Sequence, residues 1–123
     1  MEDHTEIINE LWEIIKEKEE SKDDNSYTYK TLEKGIKRAS QKVGEEASEL
    51  IIASLAETKK EIINESADLI YHWLLLLKLS NVDPNEVFQE LKKRRKYLNG
   101  FKKNRFSLWR FVYGFVTRKM EKS

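Results

Sequence analysis

Two stretches in the middle of the chain change along their length from a mixed polar and apolar pattern to an apolar one. In residues 36–56, apolar side chains first keep to one side of a helical wheel and then, from Ile51 onward, nearly surround it. The stretch 59–79 repeats this order, because its acidic residues come first and 73–77 is apolar without interruption. We expect both to be buried central helices, and the short turn between them makes them antiparallel.

Capping signals place the remaining helix boundaries. A side chain that can cap a helix N-terminus is followed three residues later by an acidic residue at three places. These are Asp3 with Glu6, Thr58 with Glu61, and Asp83 with Glu86, where Pro84 adds the residue preferred at the first helical position. With Gly35 and Gly100 as breaks, the pattern predicts helices over residues 5–20, 28–34, 36–56, 59–79, 84–98 and 103–119. One proline and four glycines also favour helices over strands. The predicted fold is an all-α antiparallel helical bundle built on two long central helices, with a domain over 1–99 and an extension over 100–123.

Charge divides the chain, although its 23 basic and 22 acidic residues nearly balance. Residues 1–90 carry 21 acidic and 11 basic side chains, a net of −10, whereas residues 91–123 carry 12 basic and one acidic, a net of +11. A basic and aromatic tail is compatible with nucleic acid or an anionic membrane surface, but an acidic body offers it a partner within the protein. We expect the second arrangement, with no nucleic acid bound and no stable membrane insertion.

The absence of cysteine excludes a disulfide framework, a thiolate zinc site and a cysteine nucleophile. The first residues lack the basic and apolar regions of a secretory signal. Both observations favour a cytoplasmic location.

Acidic residues cluster on each central helix at the point where the mixed polar and apolar pattern gives way to an apolar one. Glu45, Glu46 and Glu49 lie on one side of the first helix, and Glu65 and Asp68 share an arc of about 60° on the second. A solvated charged face would account for this spacing most simply, since Glu-rich helices often produce it. Against it, apolar neighbours are expected to bury Glu49 and Asp68, and buried carboxylates need a cation. Oxygen ligands favour Mg²⁺ or Mn²⁺, and Mg²⁺ commonly bridges phosphate oxygens, which indicates a phosphorylated substrate.

Four motifs carry a resemblance to a known family. They are Ser26-Tyr27-Thr28 with Lys30, then Lys34-Gly35, then QKVGEEA over 41–47 with Glu49, and finally ESADLIYH over 65–72. In order and spacing they resemble the phosphoribosyl-ATP pyrophosphatases of histidine biosynthesis, over roughly residues 5–97. These belong to the all-α, MazG-like nucleotide pyrophosphohydrolases, whose ExxE and ExxD signatures fall here on Glu46, Glu49, Glu65 and Asp68. The resemblance implies a dimeric helical enzyme that hydrolyses phosphoribosyl-ATP to phosphoribosyl-AMP and pyrophosphate with Mg²⁺.

The resemblance also suggests roles for individual side chains. The metal ligands are expected to be Glu46, Glu49, Glu65 and Asp68, and the catalytic acids Glu45, Glu46 and Glu49. The expected substrate-binding residues are Tyr27, Thr28, Lys30, Lys34 and Lys42. Glu45 has two open roles, since it suits either a second metal ion or acceptance of a proton from water. His72 is expected to be a hydrogen-bonded core residue.

Some of these side chains, and the activity itself, also fit a second interpretation. Lys30 and Lys34 are equally consistent with a solvated pair, and Tyr27 with a hydrophobic staple. The nearest alternative function is a MazG-type or dUTPase-like enzyme that clears a non-canonical nucleoside triphosphate, which the SYT and KG segments disfavour. A non-enzymatic helical adaptor with a nucleic-acid-binding tail would leave the acidic cluster without a role.

Overall fold

The described part of the protein is helical throughout its regular structure. The computed structural model describes residues 1–56 and 58–99, and within them every regular element is an α-helix. The helices are α1 (Ile7–Ser21), α2 (Tyr27–Glu33), α3 (Gly35–Ala56), α4 (Lys59–Leu79) and α5 (Pro84–Asn99). The all-α prediction is confirmed, and the bounds of these five helices agree with the predicted ones to within two residues. The predicted helix over 103–119 and the extension over 100–123 lie outside the described residues.

Local capping explains where α2 and α4 begin. The Thr58 hydroxyl accepts a hydrogen bond from the Glu61 backbone N–H at 3.4 Å, so the predicted cap of α4 is confirmed. The Ser26 hydroxyl accepts from the Tyr29 backbone N–H at 3.2 Å and caps α2 in the same way. Gly35, with φ of +85°, supplies the left-handed backbone that lets α3 start immediately after α2 ends.

The predicted cap at the start of α1 is wrong. The Asp3 carboxylate accepts from the backbone N–H of Thr5 at 2.9 Å and from its hydroxyl at 2.8 Å. These local bonds occupy the side chain, and α1 begins only at Ile7, with Glu6 as an N-cap that makes no side-chain capping bond.

The hydrophobic core joins α1, α2 and α4. Its buried members are Trp12, Ile15, Leu32, Leu74 and Leu75, and Ile15, Leu74 and Leu75 are almost completely inaccessible. Residues 73–77 were expected to lie in the core or in a dimer interface, and Leu74 and Leu75 are buried in the core. In the described part of the chain, no helix combines the length and apolar character needed to cross a membrane.

The end of α3 departs from expectation. Ile51, Ile52 and Leu55 are exposed, Leu55 to 82%, and Ile63 on α4 is exposed beside the link between the helices. The prediction that residues 51–56 are buried on all sides is therefore wrong for the single chain. The physical reason is that the core forms on the other part of the hairpin, where α1 and α2 cover α4.

Helices α3 and α4 position the candidate site. They are the two longest described helices, with 22 and 21 residues, and they pack on each other more extensively than any other described pair. Because only residues 57–58 join them, they run antiparallel. Residues 1–84 form one compact unit by their internal contacts, and the candidate site lies within this unit. The proposed domain boundary at residue 99 stays a prediction.

Candidate active site

Three carboxylates meet across the α3–α4 hairpin. One oxygen each from Glu46, Glu49 and Glu65 lies within 4.8 Å of the other two. Glu46 and Glu49 occupy the same side of α3 because they are three positions apart, and the antiparallel arrangement brings Glu65 opposite. Asp68, the fourth predicted ligand, lies one turn further along α4 outside this group and is exposed. The structure thus brings together three of the four predicted metal ligands.

Burial within the group differs from the prediction. Glu49 and Asp68 were expected to be buried, but both are exposed, whereas the Glu46 side chain retains only 8% of its exposure. Glu46 lies seven positions from both Ala39 and Ala53, the other buried residues of α3, so it occupies the middle of the buried face of this helix. The buried carboxylate of the site is therefore Glu46, with Glu65 half-buried beside it.

Two oxygens of the cluster and a nearby nitrogen are buried without a hydrogen-bond partner in the described structure. They are Glu46 Oε2, Glu65 Oε2 and His72 Nδ1. His72 is buried as predicted, but the expected hydrogen bond is missing at Nδ1, and burial lowers its pKa. Unpaired buried oxygens are costly, so this arrangement suits a ligand that supplies positive charge. All-oxygen donors fit a hard divalent cation such as Mg²⁺ or Mn²⁺.

The neighbouring carboxylates strongly affect the protonation of Glu65. A hydrogen bond with Glu49 raises the pKa of Glu65 to about 7, with further contributions from desolvation and from the charges of Glu49, Asp68 and Glu46. A shared proton is the expected response of carboxylates that approach each other without a cation between them. Glu65 therefore takes up a proton more readily than an ordinary glutamate in the metal-free protein.

Lys42 lies at the edge of the cluster and is already engaged. Its Nζ lies 3.2 Å from Glu45 Oε2 and 3.3 Å from Glu46 Oε1. These bonds raise the pKa of Lys42, and the one to Glu45 lowers the pKa of that carboxyl, to which Arg38 also comes within 3.5 Å. Glu45 is thus an ionised, exposed acid paired with cations, and it lies outside the three-carboxylate group.

The predicted substrate-binding residues of α2 fall into two groups. Lys30 and Lys34 are exposed near the end of the helix. Tyr27 and Thr28 instead contact Tyr71 of α4, which sequence reasoning missed: Thr28 Oγ1 lies 2.6 Å from the Tyr71 hydroxyl, and the Tyr27 ring stacks on the Tyr71 ring. The sequence feature that could have pointed to Tyr71 is its position three residues after Asp68, which places both side chains on neighbouring turns of α4.

Fold and site together define an all-α protein in which a two-helix hairpin brings three carboxylates together. Comparison with known proteins makes this class specific. The phosphoribosyl-ATP pyrophosphohydrolase family model matches residues 8–95, and the chain belongs to this family of hydrolases.

Curated relatives agree with the family assignment. A phosphoribosyl-ATP pyrophosphatase of Saccharolobus solfataricus is 47% identical over 91 residues, which cover 74% of this chain and 97% of the relative. A protein of the same name from Saccharolobus islandicus is 45% identical over 91 residues, with the same coverage. A third, from Sulfurisphaera tokodaii, is 46% identical over 90 residues, covering 73% of this chain and 96% of the relative. The predicted resemblance and the prediction of an enzyme are confirmed.

Proposed function

We propose that this protein hydrolyses phosphoribosyl-ATP to phosphoribosyl-AMP and pyrophosphate, a step of histidine biosynthesis, with Mg²⁺ as cofactor. The family supplies the reaction. The observation that supports a metal cofactor is the pair of buried, unpaired oxygens on Glu46 and Glu65 within a cluster of three carboxylates. A polyphosphate is an anion, so an acidic site of this kind binds it only with cations in between.

The metal-binding role falls to Glu46, Glu49 and Glu65, with Asp68 available from the adjacent turn of α4. Mn²⁺ is the alternative ion, since it accepts the same oxygen ligands. When bound, the ion supplies charge neutralisation of the phosphates and polarisation of the scissile P–O bond. The same residues fix where the phosphate chain lies, because they are held on two packed helices.

The other charged residues bind and orient the substrate. Lys30 and Lys34 offer exposed ammonium groups for the terminal phosphates, and Lys42 adds a third at the edge of the cluster. Glu45 is ionised because Lys42 lowers its pKa. It orients the attacking water as an acceptor or contributes to a second metal ion, and both roles are part of the proposal.

We further propose that the functional unit is at least a dimer. The exposed side chains of Ile51, Ile52, Leu55 and Ile63 form an apolar surface around the α3–α4 link, of a kind that monomers rarely leave uncovered. A second copy of this chain is the occupant that the family resemblance implies. Light scattering should give at least twice the mass of one chain, and Leu55→Glu should reduce it.

Product analysis tests the proposed reaction. The protein is incubated with phosphoribosyl-ATP and Mg²⁺, and with excess EDTA in parallel. We expect pyrophosphate and phosphoribosyl-AMP in equal amounts, and no turnover with EDTA or with Glu49→Gln. Release of orthophosphate would contradict the proposal. Turnover restricted to deoxynucleoside triphosphates would favour the house-cleaning alternative, and full activity in EDTA would refute the metal assignment.

A further inference from the structure

Tyr27 and Tyr71 form an aromatic pair between α2 and α4. Their ring centroids are 6.4 Å apart and their planes differ by 25°, so the rings stack. Tyr71 is half-buried, and its hydroxyl is fixed by the 2.6 Å hydrogen bond to Thr28. Tyr27 is 61% exposed, which leaves the ring face opposite Tyr71 open to solvent. A hydrophobic staple would bury this ring, so its exposure indicates a different role.

One member of the pair, Tyr71, lies on the same helix as part of the acidic cluster. Tyr71 follows Glu65 by six residues and Asp68 by three, which corresponds to a rise of about 9 Å and about 4.5 Å along α4. A ligand whose phosphates are held at the carboxylates therefore has a flat aromatic surface within the reach of a nucleoside. The substitution at N1 of the adenine in phosphoribosyl-ATP blocks the base edge that proteins usually hydrogen-bond, but both ring faces remain free.

We propose that the open face of Tyr27 is a stacking platform for the adenine ring of the nucleotide, and that Thr28 and Tyr71 are positioning residues that hold this platform in place. The identity of the nucleotide rests on the proposed function. An N1-substituted adenine is electron-poor, which favours offset stacking on the electron-rich face of a tyrosine. Thr28 then acts through Tyr71 and not by contacting sugar or phosphate.

The experiment separates the base from the phosphates. Calorimetric titrations of the full chain in Mg²⁺ use phosphoribosyl-AMP, which carries the base, and inorganic tripolyphosphate, which does not. Tyr27→Ala and Tyr27→Leu should each weaken phosphoribosyl-AMP binding about tenfold, equivalent to about 1.4 kcal/mol, and leave tripolyphosphate unchanged. Tyr27→Phe keeps the ring and should keep both affinities. Tyr29→Ala, at a tyrosine of α2 whose hydroxyl bonds Glu33, is the matched control and should change neither.

The positioning role has its own test. Thr28→Val should weaken phosphoribosyl-AMP binding about threefold without affecting tripolyphosphate, and Thr28→Ser, which keeps the hydroxyl, should restore it. Equal losses for both ligands would indicate general loosening of α2 and would overturn the proposal.

Two further results would overturn the platform: unchanged phosphoribosyl-AMP binding in Tyr27→Ala, or no measurable binding of phosphoribosyl-AMP by the unmodified protein. Failure of the proposed function is recognised separately, since these titrations need no turnover. A protein that binds phosphoribosyl-AMP as described but releases no pyrophosphate from phosphoribosyl-ATP would retain the platform and lose the reaction.

Discussion

The protonation of Glu65 gives the sharpest test of how the acidic cluster works. In the metal-free protein its pKa is about 7, against an ordinary value of 4.5, and the hydrogen bond with Glu49 is the largest cause. Glu49→Gln keeps the size of the side chain but removes its charge and its need for a shared proton. The pKa of Glu65 should therefore fall by one to two units, roughly, because desolvation and Asp68 still act on it.

Carbon-detected NMR of the side-chain carboxyl groups in EDTA measures this pKa directly. A Glu65 pKa near 4.5 in the unmodified protein would refute the assignment of a shared proton. An unchanged value near 7 in Glu49→Gln would show that desolvation, and not Glu49, is the cause. Mn²⁺ provides an independent check, since at pH 6.5 about three-quarters of Glu65 is protonated and metal binding should release that proton.

The same shift predicts how stability depends on pH. Because folding raises the pKa of Glu65, the protonated carboxyl contributes to the stability of the native state. This contribution is fully present below pH 4.5 and is lost as pH rises through about 7. Burial lowers the pKa of His72, which has the opposite sign, since that contribution is lost as pH falls. Comparing the unmodified protein with Glu49→Gln cancels the contribution of His72 to the pH dependence, because both proteins contain this residue. Thermal unfolding in EDTA should show the variant gaining stability relative to the unmodified protein between about pH 5 and pH 8.

Further predictions concern the edge of the site, the core and the tail. Lys42→Met should tighten Mn²⁺ binding measured by electron paramagnetic resonance, because the ion no longer competes with an ammonium group, and weaker binding would contradict this role. Leu74→Ala, at a fully buried site, should lower the free energy of unfolding by about 3 kcal/mol in denaturant titrations, whereas Leu74→Met should cost less than about 1.5 kcal/mol. A chain ending at Asn99 should keep its turnover per folded subunit but lose solubility or change mass in light scattering. Loss of turnover at unchanged mass and helicity would place the tail in the active site.

Local signals were sufficient for most of the helical framework. Gly35, Thr58 and Pro84 each act within one turn of their own position, so the first residues of α3, α4 and α5 could be predicted from their neighbours. Asp3 shows the limit of such signals, because two acceptable local bonds compete and the shorter-range one to Thr5 forms.

The candidate site depended on information that a helical wheel lacks. The wheel places acids on a face but does not tell which part of that face a neighbouring helix covers, and so Glu46 and not Glu49 is the buried acid. The contact between Thr28 and Tyr71 joins residues 43 positions apart, and no local pattern links them. Burial of Ile51 and Leu55 was expected from apolar character alone, which does not specify what covers them.

The two-residue link between α3 and α4 has a consequence for folding kinetics. The carboxylates of Glu49 and Glu65 are only 16 positions apart, so closure of this one hairpin is enough to bring them together. We expect contacts this local to form early, so that the repulsion between the two ionised carboxylates is already present in the transition state of folding. Divalent cations should accordingly raise the refolding rate itself, and not only slow unfolding, in stopped-flow experiments. Glu49→Gln should refold rapidly with or without Mg²⁺.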